Sequence, residues 1–404
     1  MRALSRRAEV THTSRVADTL RGLPACRRPR SVLLPRDPGK VSFARIVQIV
    51  VSLPPRVDGI GDYAVQLGRG LRERGIDTTF IVGGVRDLND PPRSVAGFEA
   101  FSVERRASAA LSDLLSRVGL EVVILHYSGY GYAKRGCPFW LPVGLRDWKK
   151  GGRQRRLITV FHELYAISAP WHSAFWLGPF GRGIARTLLG LSDAYVTNIT
   201  RHRDVLKRWR PDLEASAVLP VFSNVGEPQW LVPVAEREPI AVVFGQPPGR
   251  RRVYERFDRF RPILETAGVS QVLDIGPKID APIPSNLPVS VVHRGRLEPE
   301  EVSRELSRSR FGLLDYPLIV AGKSGSLAAY LAHALVCLNP AGGGKPSDGL
   351  RQGVNFLVPD AADVSAFAEP NSLQRLAENG QRWYQQHNQK RTVQAFARII
   401  EGLF

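Results

Sequence analysis

The sequence predicts an α/β protein built from two Rossmann-like, doubly wound parallel-sheet domains that face a central cleft. Three observations predict it. Apolar runs of strand length alternate with helix-periodic segments along 404 residues. The alternation lapses once, in a proline-broken stretch at about 223–238, and then restarts. Several of the runs end in a glycine or a small polar residue, where a strand would feed a helix. Strands that alternate with helices need right-handed crossovers, hence parallel sheets, and ligands of such sheets sit beyond the carboxyl ends of the strands.

The elements follow in order. Residues 1–44 form a basic leader with ten Lys/Arg against three acids. With little apolar content it is expected to be disordered, or to be an over-extended start of the reading frame. Residues 45–222 are expected to form the first domain, with strands near 45–53, 77–82, 121–126, 157–161, 193–197 and 216–219. After the first strand, Asp58-Gly-Ile-Gly-Asp-Tyr63 reads as a turn into a helix that stops at Gly75. Gly59 and Gly61 there would let a phosphate approach backbone N–H groups at the positive end of the helix. Residues 223–238 are the linker. Residues 239–390 are expected to form the second domain, with strands at 239–245, 272–276, 289–293, 311–315 and 335–338. Residues 391–404 form a terminal helix.

Composition narrows the function classes. Hydrophobic content of 43% and charged content of 23% suit a soluble globular chain. No apolar run is long enough to span a bilayer and no signal peptide is evident, so a cytoplasmic location is expected. Cys26, Cys137 and Cys337 are too few and too far apart for a disulfide framework or a zinc site. The eight histidines show no metal-ligand spacing, so no metal is expected. A Ser-His-Asp hydrolase is disfavoured because no nucleophile elbow is present. The net charge of +18 admits nucleic acid, an anionic membrane surface or a phosphorylated substrate as partner. No recognisable nucleic-acid reader motif is present, so nucleic acid is not expected.

From about Val41 onward the ordered motifs resemble those of nucleotide-sugar glycosyltransferases with two Rossmann-like domains, the GT-B type, in particular the retaining family-4 group. The motifs are the Gly59–Tyr63 turn, Val122-Val-Ile-Leu-His-Tyr127, Thr159-Val-Phe-His-Glu163, Ser192-Asp-Ala-Tyr-Val-Thr197, Val243-Phe-Gly245 with the arginines after it, and the segment from Gly295 to Gly312. The resemblance implies transfer of a sugar from a nucleotide-diphosphate donor to a glycan, lipid-linked or small-molecule acceptor, as in polysaccharide biosynthesis, with retention, without a metal and without a cofactor. It implies catalytic roles for His162 and Glu163. Donor-phosphate contacts are implied for Gly59, Gly61, Arg250, Arg251, Gly322, Lys323, Ser324 and Gly325. Gly245, Gly295 and Leu297 would lie near the base and ribose, and His126 and Tyr127 in the acceptor cleft. The family's two-glutamate motif falls on Ala321 and Ala329, so both acids are missing. That departure favours an alternative, a non-catalytic glycosyltransferase-like protein that binds carbohydrate or nucleotide. Tyr130, Tyr132, Phe139, Trp140, Trp148, Trp171, Phe175, Trp176 and Phe180 lie near the basic stretch 146–156, which suits a lipid-linked acceptor and peripheral contact with an anionic membrane.

Overall fold

The computed structural model describes residues 44–404 apart from 57, 85–92, 167–170, 172, 281–286, 341–343, 347 and 362–369. Residues 1–43 of the basic leader, Cys26 included, lie outside the described residues. The first sheet contains β1 (Ala44–Val50), β2 (Ile76–Val82), β3 (Ser94–Val95), β4 (Phe98–Ser102), β5 (Val122–Tyr127), β6 (Arg156–Phe161), β7 (Ala194–Thr197) and β8 (Ser216–Val218). Their order is β3-β4-β2-β1-β5-β6-β7-β8, parallel except for β3 with β4. The second sheet contains β9 (Glu238–Phe244), β10 (Gln271–Ile275), β11 (Ser290–Gly295), β12 (Ser309–Leu313) and β13 (Val336–Leu338), all parallel in the order β11-β10-β9-β12-β13. Strand order therefore reverses beside β1 and again beside β9.

The helices are α1 (Gly59–Arg72), α2 (Ser108–Val118), α3 (Gly129–Tyr132), α4 (Trp140–Lys150), α5 (Ser173–Leu191), α6 (Thr200–Trp209), α7 (Pro247–Glu255), α8 (Arg261–Thr266), α9 (Pro299–Arg308), α10 (Gly325–Ala332), α11 (Pro370–Gln385) and α12 (Gln389–Glu401). They explain why the central strands are apolar on both faces. Ile46, Val47, Ile49 and Val50 of β1 are all fully buried, each such side chain stabilising the fold by about 1.5–3 kcal/mol. The amphipathic α1 buries Tyr63, Ala64, Leu67 and Leu71 against the sheet.

The terminal helix returns to the first sheet's domain. Val393 of α12 sits where a β-carbon at Gly70 of α1 would collide with it. Gln389 Nε2 donates to the Gln66 carbonyl at 3.0 Å and Arg156 Nε to the Leu403 carbonyl at 3.1 Å. One apolar cluster runs from Ile46, Tyr63 and Phe222 through Leu327 and Leu331 to Trp383 and Val393, so both sheets share a core.

Candidate functional site

The second sheet builds a cavity at its own reversal point, where open α/β sheets place their ligands beyond the carboxyl ends of the strands. About 280 Å³ of space is lined by the ends of β9 (Val243, Phe244) and β12 (Leu313, Leu314, Asp315), by Gln246, Arg250 and Arg252 around α7, and by Lys323–Ser326 at the start of α10. Ser324 Oγ caps α10 by accepting from Leu327 N at 3.2 Å. Ser326 Oγ donates to the Phe244 carbonyl at 2.8 Å and ties that helix to the end of β9. Gly245 has φ +130°, and a β-carbon there would lie 2.6 Å from Ser326 Oγ, so only glycine fits this closure.

The predicted cations divide by position. Lys323 reaches the cavity; burial lowers its pKa while Glu163 opposes the shift. Arg250 lines the same cavity but is 2% exposed. Its Nη1 lies 3.4 Å from Asp274, and another nitrogen donates to the Pro277 carbonyl. Arg251 does not reach the cavity. It pairs with Glu255 at 2.6 Å one helical turn on, with both side chains more than half exposed. Arg252 takes its place, donating to the Asp315 carbonyl at 3.2 Å from inside the lining.

Across the cleft the first sheet contributes a second cavity of about 210 Å³, and Lys323 lines this one too. Glu163 enters it from the end of β6, held by Ser128 Oγ, which donates to Glu163 Oε2 at 2.8 Å. His202, near the start of α6, also lines it. Burial, with the Lys323 charge second, holds the His202 pKa down at about 3, so the ring is neutral. The His202 imidazole bonds the Phe161 carbonyl and leaves Nδ1 without a partner. The sequence reading missed His202, and it weighed Arg252 beside Arg250 and Arg251 as a donor-phosphate cation but carried only the latter two into the site. A histidine five residues past a buried strand, in Asn198-Ile-Thr-Arg-His202, was the available signal for His202.

Three predicted positions lie behind the cleft surface. His126 and Tyr127 are fully buried, so neither lines the acceptor side. His162 is 6% exposed and absent from the lining of either cavity. Its Nε2 lies 3.1 Å from His126 Nδ1, while His126 Nε2 is 2.8 Å from Gln48 Oε1. Gln48 Nε2 in turn donates to Thr78 Oγ1 at 3.3 Å. Asn198, whose Nδ2 donates to the Leu219 carbonyl at 2.9 Å, lies beside His162 and opposes the lowering of its pKa. Burial, ahead of the Lys323 charge, holds the His162 pKa at about 3. Neighbours within the protein thus use the polar capacity of this neutral ring, and Glu163 is the member of the Thr159–Glu163 motif that meets the cavity. Gln48 was visible in the sequence as the one polar residue inside Ile46-Val-Gln-Ile-Val50.

The Gly59–Gly61 turn is corrected as a phosphate site. Asp58 Oδ1 already accepts from Ile60 N at 3.3 Å, and Asp58 Oδ2 accepts from Ser52 Oγ at 3.0 Å. The chain's own carboxylate therefore occupies the positive end of α1. Asp62 adds a second acid whose pKa is raised to about 7, by burial first and then by Asp58. Gly61 serves packing: a β-carbon would strike the Ser52 carbonyl. Gly322 joins the two halves, its carbonyl accepting from Val221 N at 2.9 Å. Gly295 and Leu297 lie at the end of β11, outside the lining of the β9–β12 cavity. Ala321 and Ala329 are each 1% exposed within the shared core.

Among the described residues no group of three or more His, Cys, Asp or Glu is placed to hold a metal ion. A larger hollow of about 930 Å³, lined by Thr200, Arg201, Trp383 and His387 among others, touches the first-sheet cavity through Tyr165 but contains neither Lys323 nor Glu163.

No family model matches the chain and no curated protein does. Solved structures do share the fold. An alpha-glucosyltransferase in complex with UDP and a 13-mer DNA containing a HMU base is 13% identical, with 89% of this chain and 99% of that chain aligned at a TM-score of 0.56. Anabaena HepE in complex with UDP and glucose is 10% identical over 88% of this chain and 99% of its own, at 0.56. TarM is 8% identical over 90% and 99%, at 0.61. The chain has the two-domain, parallel-sheet architecture of these proteins.

Proposed function

We propose that this protein is a glycosyltransferase that moves a sugar from a nucleotide-diphosphate donor, with retention and without a metal. The observation that carries the reading is the position of Lys323, which lines both the β9–β12 cavity and the facing cavity with Glu163 and His202. A diphosphate in the first cavity would meet the N-terminus of α10, Lys323 and Arg252, and a sugar attached to it would extend toward Glu163. Positive charge fixed at the leaving diphosphate stabilises the transition state as the sugar–phosphate bond loosens. The leaving phosphate can serve as base for an acceptor hydroxyl attacking from the same face. Glu163 and the unpartnered His202 Nδ1 would then accept hydrogen bonds from sugar or acceptor hydroxyls. Two of the neighbouring structures are complexes with UDP, with glucose in one case, which supports a nucleotide-sugar donor. One neighbour is bound to DNA, so the sequence-based expectation of no nucleic acid partner needs its own test, given below.

The second reading, a binding protein without catalysis, is favoured by one observation: Ala321 and Ala329 put apolar side chains into the core where the family resemblance calls for acids. A panel of nucleotide-sugars separates the two. Release of nucleoside diphosphate accelerated by the protein supports transfer; binding without release under every acceptor tried supports the second reading.

A further inference from the structure

We infer that the face formed by α5, α3 and the loop after α3 docks on an anionic lipid bilayer. The inference rests on the transfer reading only for what the docked face delivers, a lipid-borne acceptor at the Glu163 cavity. Segments 129–146 and 164–192 contain no Asp or Glu. They present large apolar side chains to solvent: Trp176 is 69% exposed, Phe180 55%, Phe139 55% and Tyr130 46%. These form one surface. The Phe139 and Phe180 rings are 6.1 Å apart, and Cys137 Sγ contacts the Leu177 carbonyl of α5 at 3.8 Å. Exposed cations accompany them, Lys134 and Arg135 on the loop, with Arg182 and Arg186 on the flank of α5 that faces the Trp209 ring.

Large aromatic side chains with water on one side, on segments that carry no acid of their own, mark a surface that an amphipathic partner would cover. A bilayer interface accepts the aromatic rings at headgroup depth, and anionic headgroups attract the Lys and Arg residues. A nucleic acid satisfies the cations but offers little apolar depth for Trp176 and Phe180. Position supports the lipid as well, because Tyr130, Arg135 and Leu177 of this face line the cavity that contains Glu163. Among the described residues no helix is long and apolar enough to cross a membrane, so contact would be peripheral.

Co-sedimentation with sucrose-loaded vesicles tests this directly. The protein should bind phosphatidylcholine vesicles containing one-quarter phosphatidylglycerol and bind pure phosphatidylcholine at least tenfold more weakly. Trp176→Ser combined with Phe180→Ser should lower binding at least tenfold, as should Lys134→Glu to a smaller degree, with circular-dichroism melting unchanged. Failure of the wild type to bind anionic vesicles overturns the inference. So does equal binding by the folded double variant, or tighter binding to a duplex DNA than to the vesicles. Nucleoside diphosphate affinity, measured on the same samples, reports separately on the donor cavity, so either claim can fail alone.

Discussion

At the residue scale, Glu163 and His162 are neighbours in sequence with opposite environments. Glu163 is exposed at the cavity, and His162 is buried behind it against His126. Glu163→Gln is therefore expected to lower turnover by about 10²-fold while leaving the melting temperature nearly unchanged. His162→Ala should act chiefly on stability, costing about 1–3 kcal/mol by leaving His126 Nδ1 buried without a partner. Thermal melts alongside initial rates check both; a His162→Ala variant with native stability and abolished turnover would return the catalytic role to the histidine. The sequence identified the right strand end but not which residue faces out. The buried row Thr78–Gln48–His126, which takes up the His162 ring, decides that, and it comes from strands distant in sequence.

At the element scale, the sequence was most legible where periodicity was strongest. The strands expected from apolar runs correspond closely to β1, β2, β5, β6 and β9 to β13. For the central strands burial on both faces demands continuous apolar sequence, whereas β11 is a largely exposed edge strand. The start of α1 was misread because glycine spacing says nothing about which anion occupies a helix N-terminus. Asp58 occupies it, and Asp62 lies one turn further on with a pKa near 7. A carboxyl whose folded pKa is raised costs stability as pH climbs from its unfolded value near 4 to about 7. Asp62→Asn should thus raise stability above pH 7 by about 1–3 kcal/mol and give no gain below pH 4. Urea unfolding at pH 4 and pH 8 measures the difference. No pH-dependent gain would show that Arg296, whose charge opposes the shift, already neutralises the acid. Arg251 and Arg252 teach a similar lesson: adjacent positions on α7 face solvent and cavity respectively, a helical phase that three consecutive arginines conceal.

At the scale of the whole molecule, buried neutral histidines set the response to acid. His162, His202 and His387 are held at about 3 and His333 at about 4, in each case chiefly by burial, and His126 is driven well below its ordinary value. Each folded-state pKa lies below the unfolded value of about 6.5, so the unfolded chain takes up protons first. The corresponding stability is fully present above about pH 6.5 and is lost progressively as pH falls toward 3–4. The melting temperature should fall steadily from pH 7 to pH 4. His387→Phe, in the Trp383–Tyr384 cluster, should flatten that slope; an unchanged slope would show that this ring does not contribute.

The two halves share a core and meet at Lys323, where the β9–β12 cavity of one sheet, proposed above to hold the donor, adjoins the Glu163 cavity of the other. Isothermal titration of a nucleoside diphosphate panel into wild type and Lys323→Ala tests that arrangement most directly. A charge-assisted contact is worth about 1.5–3 kcal/mol, so the account predicts measurable binding by the wild type and about 10- to 150-fold weaker binding by the variant at unchanged melting temperature. Equal affinity in the two proteins, or no binding of any nucleoside diphosphate by the wild type, would contradict it.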